Sequence, residues 1–206
     1  VLSADILKPL ALRGCLVASV HPLKAFLAHP LHASVFAGCH CAVEGDTQAV
    51  DYLTALFQQL GAVVHTIKAD KKEVYHAAAV MASNYLVTLA HHAQNLLQES
   101  GLSDHHAMAI TQQLLQSSLH NLKQHHHPRD ALTGPLVRGD YHTLEKHINA
   151  IEQAEVKDLY CTAALATLEL TSHETPQMLK LASLLKTGAS SRLIEKKRED
   201  AALSHD

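Results

Sequence analysis

Residues 75–89 read YHAAAVMASNYLVTL. The stretch is apolar on nearly every side, yet it carries His76, Ser83 and Asn84. A helix that is apolar all round is ordinarily a buried one. Polar side chains buried with it need partners, since an unpaired one costs roughly 1–3 kcal/mol. Positions seven and eight apart lie near one face of a helix. His76, Ser83 and Asn84 therefore form one polar stripe, which His91 extends. Such a stripe on a greasy helix predicts a satisfied structural network or the wall of a cleft.

Working outward, the sequence changes character at Lys68. Beyond it helices follow one another, expected near 72–99, 104–122, 140–154, 157–173, 176–186 and 190–203. Ser103 can cap the second, and Thr175 with Pro176 opens the fifth. Gly101 and Gly188 are expected at helix ends. The stretch 124–139 is the long loop of this half, a length that is usually functional or disordered. Before Lys68 the signals are mixed. Ser3 can cap a short helix limited by Pro9 and stopped at Gly14. CLVASV (15–20) reads as a buried strand ending at His21-Pro22. Residues 29–33 read as a loop around Pro30. SVFAGCHCAVE (34–44) reads as one or two strands, and AVVHTI (62–67) as another. Between them, Asp46 or Thr47 can cap a helix over 48–60. The expected division is an α/β piece, residues 1–68, and an all-helical piece, residues 69–206.

Composition narrows the function classes. The 206 residues are 47% hydrophobic and 18% charged, with a formal net charge of -3. That is the balance of a globular chain with ample core material. Lys and Arg are spread out and aromatics are only 4%, so nucleic acid is not an expected partner. The longest apolar run is too short and too polar to span a bilayer, so no membrane is expected. Cys15, Cys39, Cys41 and Cys161 form no disulfide-like framework, and no signal peptide is visible, which leads to the expectation of a reducing cytoplasm. The 18 His raise the question of metal. His125-His126-His127 is a run in a loop, Cys39 and Cys41 lie on one side of a strand, and His142 and His147 are off the helix-face spacing. None makes the four-ligand paired pattern of a structural zinc site, so no native metal is expected. Cys161, in an apolar helix, reads as a small buried hydrophobe.

Five blocks occur together in one family: HPLKAF (21–26), EGD (44–46), YHAAAVMASNYLVTL (75–89), ALTGPLVRGD (131–140) and DLYCTAALATLEL (158–170). On them the chain resembles the short-subunit dehydrogenase-like oxidoreductases. These are distantly similar to pyrroline-5-carboxylate reductase, ketopantoate reductase and prephenate dehydrogenase. The resemblance implies an α+β chain: the C-terminal part of a Rossmann-like α/β domain, then an all-helical, 6-phosphogluconate-dehydrogenase-like C-terminal domain. It also implies NADP or NAD as cofactor, hydride transfer on a small oxo, imino or hydroxy substrate, and a homodimer formed through the helical domain. One departure stands out. The glycine-rich fingerprint G-x-G-x-x-G, which lets backbone approach the pyrophosphate, is absent. The expectation is a partial Rossmann-like domain, with CLVASV among its last strands.

Each candidate residue has two readings. His21 and Pro22 are placed near the nicotinamide by the resemblance, and strand ends do form the ligand crevice of open α/β sheets. Alternatively they only end a strand. By resemblance, Asn84 with Ser83 faces the nicotinamide and orients a substrate oxygen; otherwise Ser83 back-bonds to its helix and Asn84 ties two helices together. His76 has a side chain suited to proton transfer, with an ordinary pKa of about 6.5, or is a satisfied core histidine. Arg138 and Thr133 form an anion clamp in a cleft loop, or are an ion-pair residue and a cap. Asp140 reads as a helix N-cap. The rival to an enzyme is a non-catalytic helical dimerisation or ligand-binding module.

Overall fold

The computed structural model describes residues 2–26 and 32–189. By compactness the chain divides into two units, Val1–Leu89 and Ala90–Asp206. The fold is α+β: mostly helical, with one three-stranded sheet among the described residues.

The sheet belongs to the first unit. β1 (Ala18–Pro22) pairs antiparallel with β2 (His40–Gly45), which pairs parallel with β3 (Val63–Thr66). A parallel pair needs a crossover, and α2 (Thr47–Gln59) supplies it. β2 is central and is buried from Cys41 through Glu44. Side chains alternate along a strand, so the sheet has two faces of different chemistry. Cys39, Cys41, Val20 and Val64 lie with Ala62, Phe36 and Phe57 in an apolar cluster on the α2 side. Phe36 and Phe57 meet edge to face at 5.5 Å. The alternate positions carry the polar Ser19, His21, His40, Glu44 and His65, with Ala42 and Val63 between them. That second face receives α3 (Lys72–Ala82) through Lys72 and Tyr75.

Lys72 is the anchor. Its Nζ donates to Glu44 Oε1 and to Ser19 Oγ, each at 2.6 Å. The side chains of Lys72 and Glu44 are only 3% and 2% exposed. Glu44 Oε1 also accepts the Ala4 N–H at 2.9 Å, tying in a 3-10 turn, Ala4–Leu7, that Ser3 caps as expected. A short helix, α1 (Lys8–Ala11), follows with Pro9 in its first turn. Gly45, the last residue of β2, pairs with Ala18, the first of β1. Its φ is +134°, and a Cβ there would run into the Val17 carbonyl and Ala18. Asp46 occupies the N-cap position of α2, but its carboxylate accepts the Val17 N–H at 2.7 Å instead of capping the helix.

In the second unit, α5 (Asp104–Gln124) begins at its Ser103 cap. The core is built by α7 (Tyr141–Ala150), α8 (Ala154–Leu168) and α9 (Thr175–Ala189). Leu144, Ile148, Cys161, Ala164, Leu168, Leu181 and Leu185 fill it. Cys161 is the buried hydrophobe its sequence context indicates.

Several expectations are corrected. The helix over 72–99 is two helices: α3 ends at Ala82, and α4 runs Asn84–Glu99. Ser83, at φ -122° and ψ -70°, breaks the path. The stretch is also not buried: Val74, Met81 and Val87 are 68%, 68% and 69% exposed. Apolar composition marks a surface that favours cover, but it does not say that the same chain supplies it. β1 ends at Pro22 as expected, but it begins at Ala18 instead of Cys15 and is half-buried instead of buried; His21 and Pro22 pair with Ala42 and Cys41. The loop over 124–139 holds a 3-10 turn, Pro128–Ala131, and α6 (Pro135–Arg138). Gly188 is within α9, not beyond its end. A Cβ there would sit 2.8 Å from Cys161 Sγ and 3.0 Å from Ile148 Cγ2, so close helix packing explains it. The helix expected over 190–203 and part of the loop around Pro30 lie outside the described residues.

Candidate functional site

The polar face of the sheet and α3 enclose an open cleft of about 750 Å³. His21, Pro22, His76, Ser83 and Asn84 all line it, together with Lys24, Phe26 and Tyr75. Five residues proposed from sequence alone thus share one site within the first unit. The break at Ser83 explains their tolerance: Ser and Asn are poor in a helix interior but suited to a helix junction. His91 does not line the cleft, so the polar stripe ends at the break.

His21 is the centre of the polar cluster. Its Nδ1 lies 3.2 Å from the Tyr75 hydroxyl, and its ring meets those of Tyr75 and His76 edge-on, each at 5.7 Å. Burial holds the His21 pKa below the ordinary imidazole value, and the charges of His76 and Lys72 lower it further. Burial also pushes the Tyr75 hydroxyl up, so it stays a neutral donor. His76 Nδ1 is buried and has no hydrogen-bond partner among the described residues. Ala78, Ala79 and Ala82 line the same wall and keep it low.

Behind the cleft, Cys41 is pushed up to about 11 by burial and by neighbouring Cys39, so its thiol is protonated and unreactive. A second cleft, of about 560 Å³, opens where β2 and β3 end. It is lined by Asp5, Lys8, Glu44, Asp46 and Asp51, among others. Because β1 is antiparallel to β2, His21 and Pro22 lie beside the start of β2 instead.

Arg138 and Thr133 belong to the second unit, where both are exposed. Asp140 caps α7 as expected, accepting the Thr143 N–H at 3.1 Å and the Thr143 hydroxyl at 2.7 Å. These bonds hold its carboxyl below the usual carboxylate range. Among the described residues, no three His, Cys, Asp or Glu come together as metal ligands, and no helix is long and apolar enough to cross a membrane.

Sequence reasoning missed Glu44, Lys72, Ser19 and Tyr75. The signal was present as alternation: Ser19 and His21 in ASVHP, His40 and Glu44 in HCAVEG, and His65 in VVHT mark one polar sheet face. A polar face inside a domain implies a charged or hydroxyl-bearing cover, which Lys72 and Tyr75 provide.

Residues 39–167, well over half of the chain, match the family described as Domain of unknown function (DUF2520). The chain belongs to this family. The match takes in β2, the α3 wall of the cleft and most of the second unit. Protein TM1727 from Thermotoga maritima is 26% identical and superposes with a TM-score of 0.59, covering 93% of this chain and 66% of that one. Protein BF3122 from Bacteroides fragilis, named as a candidate NADP oxidoreductase, is 21% identical with a TM-score of 0.60, covering 74% of this chain and 57% of that one. This DUF2520 chain therefore spans just under two thirds of the first relative and less of the second. No curated protein matches.

Proposed function

We propose that the cleft at His21, His76, Ser83 and Asn84 is the substrate end of the active site of an NAD(P)-dependent oxidoreductase. The class of reaction is hydride transfer on a small oxo, imino or hydroxy compound. The observation that carries the reading is convergence: His76, Ser83 and Asn84, with His21 and Tyr75, line one cleft of about 750 Å³. Asn84 and Ser83 can orient a substrate oxygen without titrating. His76 can hold or pass a proton, and the Tyr75–His21 pair fixes the neighbouring wall. The resemblance to dehydrogenases and the fold shared with a candidate NADP oxidoreductase support this class.

The chain's own residues do not fit the whole cofactor. No G-x-G-x-x-G occurs in the sequence, so the pyrophosphate lacks its usual cradle. His21 and Pro22 are the residues proposed to lie near a nicotinamide. The test is NADPH binding, by fluorescence or calorimetry, to this chain and to one extended N-terminally with a glycine-rich segment. Binding to the extended form is expected; its absence there would sink the reading. In the extended form, Asn84→Ala should cut turnover about 10- to 100-fold, the worth of one polar substrate contact, without lowering the thermal midpoint.

The exposed apolar side chains of Val74, Met81, Tyr85 and Val87 favour a second reading, a dimerisation module in which a second copy covers them. A monomer by light scattering at micromolar concentration would exclude it.

A further inference from the structure

We propose that Tyr75 is a positioning residue: its hydroxyl donates to His21 Nδ1 and so fixes the imidazole as the tautomer with its proton on Nε2. His21 then stands in the cleft as an uncharged hydrogen-bond donor. Its use rests on the substrate-site reading above, because a neutral N–H can polarise a carbonyl without giving up its proton. Two periodicities build the contact. Ser19 and His21 are two apart on β1 and share a sheet face; Lys72 and Tyr75 are three apart on α3 and share a helix face. Lys72 Nζ meets Ser19 Oγ at 2.6 Å, and one turn on, the Tyr75 hydroxyl lies 3.2 Å from His21 Nδ1. The buried Lys72–Glu44 pair thus holds the helix that carries the phenol, and pairing with Ala42 holds the His21 backbone. Basicity decides the direction of the bond. The bare nitrogen of an imidazole takes a proton with a pKa of about 6.5, a phenol oxygen only in strong acid, and the phenol O–H, at about 10, is the more acidic donor. O–H···N is therefore stronger here than N–H···O. Burial acts the same way: it keeps the Tyr75 proton on and the His21 ring neutral, and the charges of His76 and Lys72 add to the second effect. A bond made at one ring nitrogen sets the proton on the other.

The test is nitrogen-15 NMR of the histidine rings in the full chain at about pH 8, above the ordinary imidazole pKa, where protonated and bare ring nitrogens are well separated in shift. His21→Gln assigns the signal. Wild-type His21 should carry its proton on Nε2. Tyr75→Phe keeps the aromatic ring and should lower the ratio of Nε2–H to Nδ1–H about tenfold, the worth of one hydrogen bond, with the thermal midpoint little changed. His76→Asn removes the other ring that lies edge-on to His21 and should leave the ratio as it is. A wild-type ring protonated on Nδ1, an unchanged ratio in Tyr75→Phe, or an equal fall in His76→Asn would overturn the assignment and leave the oxidoreductase reading standing. Failure of NADPH to bind the extended form would remove that reading and leave the tautomer in place.

Discussion

Removing Lys72 should be the most damaging conservative change in the sheet unit. Lys72→Met deletes two contacts of 2.6 Å and leaves Glu44, 2% exposed, with the Ala4 N–H as its remaining donor. Breaking a buried pair by removing one partner costs about 3–5 kcal/mol, because the other charge is stranded. Glu44→Gln keeps an acceptor for Ala4 but strands the ammonium, so its cost falls in the same range. The double variant strands no charge and should lose only about 1–2 kcal/mol, mostly the hydrogen bond to Ser19. Because the chain has two units, the readout should be local. Urea unfolding followed through the methyl resonances of Val43, fully buried in β2, reports the sheet unit. The midpoint should shift with the slope unchanged. Single losses below about 1 kcal/mol, the range of an exposed pair, would refute the reasoning, as would losses that simply add in the double variant.

Three further outcomes are expected. His21 should titrate below the ordinary imidazole value by NMR, and His76→Ala should raise it only part of the way, since burial is the larger cause. Its folded-state pKa is lowered, so its share of stability is complete above about pH 6.5 and is lost as the pH falls through the folded value. Asp140→Ala should lower the thermal midpoint by a few degrees at neutral pH through loss of the α7 cap. The difference from wild type should vanish in acid, because a lowered carboxyl pKa gives stability that is present above about pH 3.9 and lost below the folded value. Gly45→Ala should cost about 2–4 kcal/mol by urea unfolding, combining the strain of φ +134° with a clash against the Val17 carbonyl; a neutral result would show that β1 can move away.

Local chemistry was legible where a residue's job was local. Ser3, Ser103 and Asp140 read as caps and are caps, because a cap needs only its next three residues. The polar stripe of His76, Ser83 and Asn84 pointed to a cleft because helix spacing fixes which side chains share a face. What stayed hidden depended on distant partners. Lys72 and Glu44 look like ordinary surface charges 28 residues apart until the sheet brings them together. The break at Ser83 was invisible because a single non-helical residue leaves the apolar periodicity on both sides intact. Arg138 and Thr133 lie in the second unit, and their role stays with the resemblance that suggested it.

That break has a consequence for how the site can be watched. The opening N–H groups of any helix lack an intrahelical acceptor, and α4 opens at Asn84 on the wall of the cleft. The Val87 N–H reaches back to the Ser83 carbonyl at 3.4 Å, which leaves the amides of 84–86 ahead of it. In deuterium exchange these amides are expected to exchange faster than their neighbours in α3 and α4. A ligand seated against Asn84 would slow them, so the interruption serves as a built-in reporter of occupancy.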